Sequence, residues 1–284
     1  MNEKDIKLKL DEAFGDLQIT SMIIIGEGLD NIAVLVNEVT VFRILKPGHE
    51  NKNITSEINF LKLTKGRLTV GIPHITYEAI DRLLYGYKLL PGSTIVKNTL
   101  TKESRADEYI DKWVITACEL EAIGESAKLP IDQFSDNDYR LKKSNEVLKL
   151  DILDTSVRNL LKKSCNRYLE KWKKRKKVLV HGDLGMGNWL YDNESDHYSV
   201  IDWSDVCFAP QEFQMYRLVA DLPEHAAYII SKYEKKTDNT IDHNLLFDCG
   251  LISIASRIAE CIEREPALVE SKIQELRAWS QLSV

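Results

Sequence analysis

The sequence predicts an α+β fold of two lobes, a small β-rich lobe over residues 1–92 and a larger, mainly helical lobe over residues 93–284. In the first ninety residues, short β-branched and apolar runs alternate with turn residues, and one helix lies among them. Beyond them, long stretches repeat apolar residues at helical spacing with charges between. Pro91-Gly92 is a strong turn signal and marks the expected boundary.

Each element follows from its local pattern. The expected strands share β-branched composition and end at turn residues: 19–25, 32–36, 39–45, 72–80 and 83–90. Asn37-Glu38 suits a tight hairpin between the second and third of these strands. Ile58 and Leu61 on one face predict a helix over 55–63. The expected helices of the second lobe cover 104–124, 140–176, 213–233 and 244–263, with one β-like island between 178 and 203.

Composition excludes several classes of protein. The chain has 284 residues, 44% hydrophobic and 29% charged, which is typical of a folded globular protein rather than a disordered chain or a coiled coil. Its 38 basic and 44 acidic side chains give a net charge of −6, which disfavours nucleic acid as a partner. Five cysteines without a Cys-x-x-Cys pair, no signal-peptide pattern and no apolar run near 20 residues predict a cytoplasmic protein with reduced thiols and no membrane contact.

One basic run, Lys171–Lys177, stands apart from the acidic balance. Such a run could bind nucleic acid or act as a localisation signal. Its position at the end of an expected helix favours a different interpretation, a solvated terminus that complements the helix dipole.

The least ordinary residues lie in and around the β-like island. An apolar strand leads into His181-Gly-Asp183, Asn188 follows Asp183 by five positions, and Asp202 follows Asn188 by fourteen, beside a second apolar strand. Phosphoryl transfer needs a carboxylate near the acceptor hydroxyl and oxygen ligands for Mg²⁺. Asp183 fits the first requirement, and Asn188 and Asp202 fit the second. Any one of them alone could simply satisfy a turn, but the ordered set between strands favours catalysis.

This run, Val-His-Gly-Asp-Leu-x-x-x-Asn-x-Leu followed by Val-Ile-Asp-Trp, resembles the signature of the aminoglycoside phosphotransferase and choline kinase superfamily. The segment 201–208 is similar to its hygromycin-type branch. The resemblance covers roughly residues 22–216. It implies a protein-kinase-like fold of two lobes, with ATP or GTP bound between them together with Mg²⁺, and transfer of the γ-phosphate to a small hydroxylated molecule.

The resemblance also assigns roles to individual residues. It implies that Asp183 is the catalytic carboxylate, that His181 braces the catalytic loop, and that Asn188 and Asp202 bind Mg²⁺. The residues that it implies at the nucleotide are Gly26 and Gly28 in a covering turn, Arg43 on the phosphates, Glu57 as its partner, and Lys88 and Leu90 beside the base. Taken without the resemblance, Arg43 could be an exposed edge residue and the two glycines a plain hairpin turn.

Three departures from the family pattern concern the turn and the substrate side. The covering turn lacks a third glycine, Ala122-Ile123-Gly124 stands where the family has Leu-His, and 208–210 reads Phe-Ala-Pro instead of Gly-Asp-Pro.

The acidic balance favours a cationic acceptor such as an aminoglycoside. The carboxylates that could contact it are Asp205, Glu212, Glu260 and Glu263. Solvated helix faces are the alternative interpretation of these residues. Two alternative functions stay open: a kinase of choline, homoserine or methylthioribose, and a catalytically silent nucleotide-binding protein. The sequence leaves the choice between monomer and dimer open.

Overall fold

The computed structural model describes residues 1–28, 30–47, 54–100, 103–126 and 137–282. The helices in these ranges are α1 Glu3–Ala13, α2 Ile54–Thr64, α3 Glu103–Ser126, α4 Asn137–Leu148, α5 Thr155–Lys174, α6 Gln211–Asp221, α7 Ala226–Thr237, α8 His243–Arg264 and α9 Val269–Ser280. The strands are β1 Met22–Glu27, β2 Asn31–Val36, β3 Thr40–Leu45, β4 Ile75–Ala79, β5 Leu84–Lys88, β6 Ser93–Thr94, β7 Val178–Val180, β8 Trp189–Asp192, β9 His197–Val200 and β10 Cys207–Ala209.

The chain divides into two compact units. Unit 1 comprises Met1–Ile95 together with Asn188–Asp205, and unit 2 comprises Val96–Gly187 together with Val206–Val284. The predicted fold class is confirmed: unit 1 is built mainly on β-sheet and unit 2 mainly on helices.

Unit 1 contains a five-stranded antiparallel sheet in the order β1-β2-β3-β5-β4. The hairpin between β2 and β3 turns at Asn37 and Glu38, whose φ angles of 52° and 59° suit a turn that follows the twist of the strands. One face of the sheet packs on α1, and the buried core there includes Ile6 and Leu10.

Helix α1 lies where the sequence pattern predicted no helix. It buries only Ile6 and Leu10, so its apolar periodicity is weak beside its many charges. The side chain of Asn2 accepts from the N–H of Asp5, and the Asp5 carboxylate accepts from the N–H of Asn2. This reciprocal capping box is the local signal that marks the start of the helix.

A second sheet of unit 1 has the order β6-β8-β9. It joins β6 to strands that lie some hundred positions later in the sequence. A single parallel bridge pairs Gly71 with Ser199. The segment 188–205 therefore belongs with the N-terminal unit, although the chain reaches it only after most of unit 2.

Unit 2 is centred on α8, which packs against α4, α5, α6 and α9. The run predicted as one helix over 140–176 is two helices, because Asp154 caps α5 by accepting the N–H of Val157 at 3.0 Å. The run over 213–233 also divides, where Pro223 begins a short 3₁₀ turn. Helix α9, which the sequence pattern did not predict, lies against Gly250 of α8 with its Trp279 ring.

Two further observations concern the cysteines and the character of the helices. All five cysteines are free thiols. Within the ranges that the structure describes, no helix combines the length and apolar character that crossing a membrane requires.

Candidate active site

The loop that carries Asp183 begins where the buried strand β7 ends at Val180. Gly182 has a φ of 87°, a left-handed conformation that glycine adopts without strain, and this turns the chain between His181 and Asp183. His181 is fully buried. Its N–H donates to Gln214 Oε1 at 2.6 Å, and its Nδ1 accepts from the N–H of Asp183 at 3.3 Å. His181 therefore fixes the loop through its backbone N–H and through its ring Nδ1.

Further contacts of unit 2 fix the same loop. The indole N–H of Trp113 donates to the carbonyl of Leu184 at 2.8 Å. Arg217 Nε lies 2.6 Å from Asp183 Oδ1, and the Asp183 side chain is 39% exposed. Asp183 is thus held at its backbone and at one carboxylate oxygen, yet remains accessible to solvent.

Asn188 and Asp202 lie at the same end of a hairpin in unit 1. Asn188 directly precedes β8, Asp202 lies two residues beyond β9, and Trp189 pairs with Val200. The N–H of Ile201 donates to the carbonyl of Asn188 at 2.9 Å, which continues the ladder past the strand ends. The separation of fourteen positions between Asn188 and Asp202 corresponds to the length of this hairpin.

Asp202 has an unusual backbone conformation for a residue with a side chain. Its φ is 63°, in the left-handed region, and Ser204 Oγ donates to its Oδ1 at 3.0 Å. The adjacent Trp203 is buried, stacks on Phe60 with ring centroids 4.8 Å apart, and donates its indole N–H to Val200. Trp203 therefore anchors the backbone that presents the Asp202 carboxylate.

Arg43 occupies the centre of the polar group in unit 1. It is buried on β3, its Nε lies 3.7 Å from Glu57 Oε1, and its Nη2 contacts Asp202 Oδ1. Burial alone lowers the pKa of Arg43, but the carboxylates of Glu57 and Asp202 outweigh it and raise that pKa well above its ordinary value. The guanidinium is therefore a permanent positive charge.

Glu57 and two tyrosines surround this guanidinium. Glu57 lies on α2 one turn before Phe60, so the stack of Phe60 on Trp203 also positions Glu57. Burial raises the pKa of Glu57, while Arg43 opposes the rise. Burial raises the pKa of Tyr85 well above its ordinary value and that of Tyr87 to about 12, so both phenols remain neutral.

Gly26 and Gly28 lie at the end of β1. Gly26 pairs with Ala33 after an irregularity in the ladder, and Gly28 donates its N–H to the carbonyl of Asn31 at 3.0 Å. The described residues of the predicted covering turn therefore form a tight connection between β1 and β2.

Lys88 and Leu90 lie at the end of β5. Lys88 is exposed and pairs with Thr40, and the N–H of Leu89 donates to Val39 at 2.7 Å. Among the described residues, the backbone of Leu90 has no hydrogen-bond partner.

The predicted magnesium ligands are one amide and one carboxylate. No group of three or more His, Cys, Asp or Glu side chains within the described ranges could hold a metal ion. A pair of hard oxygen ligands suits Mg²⁺, which keeps several waters and shares substrate phosphates. The Asp202 carboxylate contacts the Arg43 guanidinium through Oδ1, so a bound Mg²⁺ would share this carboxylate with Arg43.

Comparison with known proteins identifies the family of the chain. The sequence profile of the phosphotransferase enzyme family matches residues 21–228. The chain belongs to this family. Its expected membership of the aminoglycoside phosphotransferase and choline kinase superfamily is thereby confirmed, while the hygromycin-type branch stays a prediction.

Solved structures with the same fold include members of both halves of the superfamily. The GDP complex of wild-type aminoglycoside 2'-phosphotransferase-IIIa has a TM-score of 0.81 at 20% identity, and each chain covers 99% of the other. The gentamicin complex of APH(2")-IIa has a TM-score of 0.70 at 18% identity, with 98% of this chain and 96% of the other covered. Choline kinase LicA from Streptococcus pneumoniae has a TM-score of 0.69 at 16% identity, with 98% of each chain covered.

Of the four carboxylates predicted to contact a substrate in this phosphotransferase, one lies in unit 1 and three lie in unit 2. Asp205 belongs to unit 1. Glu212 is buried on α6, where its Oε1 lies 2.5 Å from Arg175 and accepts the N–H of Asp242 at 3.0 Å. Both acids of α8 have cationic neighbours, Arg257 at 3.2 Å from Glu260 and Lys143 in contact with Glu263. Glu212 therefore has the surroundings of a structural residue.

The basic run Lys171–Lys177 is largely neutralised within the chain. Lys171 pairs with Asp242, Lys174 with Glu170, and Lys176 with Glu125. These internal pairs favour the predicted helix end over a nucleic-acid site.

Sequence reasoning missed three polar residues of α6: Gln214, Arg217 and Asp221. They lie on a helix with a strongly buried face, where a charged side chain is unusual. In the sequence, these polar residues interrupt the apolar periodicity of the helix that follows the Asp202 segment, and this interruption could have drawn attention to them.

Proposed function

We propose that the protein transfers the γ-phosphoryl group of ATP or GTP to a hydroxyl of a small, aminoglycoside-like molecule. The observation that carries the proposal is the buried Arg43, which contacts both Glu57 and Asp202. A charged, desolvated guanidinium with fixed orientation is suited to phosphate oxygens, which it binds through charge-assisted hydrogen bonds. Arginine also offers a planar fork that lysine lacks.

In this proposal Asp183 is the general base. The acceptor hydroxyl donates a hydrogen bond to the carboxylate of Asp183, which takes its proton as the oxygen attacks the γ-phosphorus. The bond from this phosphorus to the oxygen of the leaving diphosphate breaks, and the diphosphate keeps the electron pair. Asp183 suits the role because its side chain is partly exposed, while Arg217 holds one carboxylate oxygen and His181 accepts its backbone N–H.

The remaining site residues bind and position the nucleotide. Asn188 and Asp202 hold Mg²⁺, which supplies neutralisation of phosphate charge when bound. Gly26 and Gly28 cover the phosphates, and the backbone at Lys88 and Leu90 pairs with the base. The unpartnered backbone of Leu90 supports the last assignment.

The proposed acceptor class is suggested by relatives of the same fold and by acidic side chains of this chain. Relatives of the same fold include complexes with kanamycin, gentamicin and streptomycin, and also a choline kinase. Asp205, Glu260 and Glu263 are the proposed contacts for amino groups, and the buried Glu212 is proposed to have a structural role instead.

A panel assay tests the function. The purified protein is incubated with γ-labelled ATP or GTP, Mg²⁺ and single acceptors: kanamycin, gentamicin, hygromycin B, choline, homoserine and methylthioribose. We expect label on at least one aminoglycoside and none with Asp183→Asn. Transfer only to choline or homoserine would show that the acceptor is such a metabolite and not an aminoglycoside. Nucleotide binding without transfer to any acceptor would favour the silent nucleotide-binding alternative.

A further inference from the structure

We infer that Arg217 and Asp221 form a brace on α6 that positions the Asp183 carboxylate and the loop after it. The inference rests on the proposed function, since it assigns Asp183 the role of base. Arg217 acts through Asp183 and is therefore a positioning residue.

Two contacts, one helical turn apart, make up the brace. Arg217 Nε lies 2.6 Å from Asp183 Oδ1, and Asp221 Oδ2 accepts the N–H of Met186 at 2.7 Å. Residues four apart lie on the same face of a helix. One rigid element therefore holds the loop at the side chain of Asp183 and, three residues later, at the backbone.

The loop passes the brace at close range because Gly185 has no side chain. A Cβ at this position would lie 3.0 Å from Asp221 Oδ2 and 3.2 Å from Arg217 Nη2. At Gly187, two residues later, a Cβ would contact nothing within 4 Å. Of these two glycines, only Gly185, which lies between the anchored positions 183 and 186, fits closely against the brace.

The guanidinium of the brace keeps its positive charge over the working range of pH. The Asp183 carboxylate is the main reason that the pKa of Arg217 lies well above its ordinary value. Burial raises the pKa of Asp221, and the Arg217 guanidinium opposes this rise. Arg217 is therefore always charged and always available to Asp183.

The orientation of a general base affects the chemical step and leaves ground-state binding of substrates largely unchanged. A base that rotates away from the acceptor hydroxyl lowers kcat. It has little effect on the dissociation constant of the nucleotide, because the nucleotide is proposed to bind elsewhere, at Arg43, Asn188 and Asp202. The brace therefore predicts a lower kcat with a nearly unchanged dissociation constant of the nucleotide.

The test compares Arg217→Gln, Arg217→Lys and Gly185→Ala with the wild-type chain. Arg217→Gln removes the charge, and we expect kcat to fall about 10²-fold, with KM for both substrates within about twofold. Arg217→Lys keeps a charge near Asp183 and should recover part of the loss. Gly185→Ala keeps both charges but crowds them, so it should lower kcat in the same direction by a smaller factor.

Arg167→Gln is the matched control. Arg167 forms a comparable ion pair in unit 2, 2.6 Å from the buried Asp248, and lies on α5. If Arg167→Gln and Arg217→Gln lower the melting temperature similarly but only the latter lowers kcat, general destabilisation is excluded as the cause.

Hydrogen exchange supplies a readout that does not depend on activity. Arg217→Gln and Asp221→Ala should both speed exchange of the amides at 184–186, because each removes one contact of the brace, and Arg167→Gln should not. Unchanged exchange would overturn the brace, and a higher KM at constant kcat would assign Arg217 to substrate binding instead. A wild-type chain without transfer to any acceptor would contradict the proposed function, while the exchange experiment would still decide the brace.

Discussion

Arg43 contacts Asp202 across 159 positions of sequence, within the same compact unit. The contact exists because Trp203 stacks on Phe60 of α2, which brings the end of the β8–β9 hairpin to the strand that carries Arg43. Glu57, on the same helix as Phe60, completes the group. One aromatic stack thus assembles three charged residues from three separate segments.

Replacement of Arg43 by lysine should weaken nucleotide binding. A lysine ammonium lacks the planar fork with which the guanidinium faces Glu57 on one side and Asp202 on the other. We expect the dissociation constant of the nucleotide to rise about tenfold, which is about 1.4 kcal/mol. Isothermal titration calorimetry measures it. Lys62→Gln, which breaks a surface ion pair with Glu78 in the same unit, should leave binding unchanged. Equal affinities in all three chains would contradict the assignment of Arg43.

Asp183→Ala should abolish most transfer while nucleotide binding is retained. Loss of a general base costs at least about 10²-fold in rate. Initial rates with the best acceptor and a fluorescent-nucleotide titration on the same sample separate the two effects. Full activity in Asp183→Ala would exclude this residue as the base.

Asp202→Asn should reduce the dependence of nucleotide binding on magnesium. The neutral amide keeps one oxygen but loses the charge that attracts the cation. The measurement is the ratio of nucleotide affinities with and without added Mg²⁺, which we expect to be large in the wild-type chain and close to one in the variant. The same ratio in both chains would count against Asp202 as a ligand.

Glu212→Gln should affect stability more than substrate binding. The carboxylate is buried between Arg175 and the N–H of Asp242, so the change leaves a buried polar contact without its charge. We expect a loss of about 2 kcal/mol in the free energy of unfolding, measured by urea denaturation. A raised KM for the acceptor at unchanged stability would instead indicate that Glu212 contacts the substrate.

The contribution of Asp154 to the stability of the folded chain should depend on pH. Its carboxylate accepts from the N–H of Val157 and the hydroxyl of Ser156, which lowers its pKa from 3.8 to about 2. Because the pKa is lower in the folded chain, the contribution is complete above about pH 4 and is lost as the pH falls towards 2. The difference in melting temperature between the wild-type chain and Asp154→Ala should therefore be constant above this window and shrink within it. A difference that grows on acidification would contradict the cap.

The strongest sequence signals were local ones. His181, Asp183, Asn188 and Asp202 could be recognised because each adjoins a short apolar strand, and the spacing of the last two reflects one hairpin. The Asn37-Glu38 turn, a second local signal, is confirmed by its positive φ angles.

Non-local and weakly periodic features were missed. The pairing of β6 with β8 joins segments nearly a hundred residues apart, and no local pattern carries that information. Helix α1 has only two buried residues, too few to give periodicity. Arg217 was missed because its importance comes from a contact with Asp183 and not from a motif of its own.

The composition of unit 1 has a consequence for synthesis on the ribosome. Residues 188–205 supply two of its strands and the partner of Phe60, so the first 95 residues emerge before the segment that completes their core. Folding of the N-terminal part must therefore finish late in translation, after Asp205 has left the exit tunnel. A gene fragment that stops at Ile95 should encode a chain prone to aggregation, whereas one that also supplies 188–205 through a short linker should yield a better-folded product.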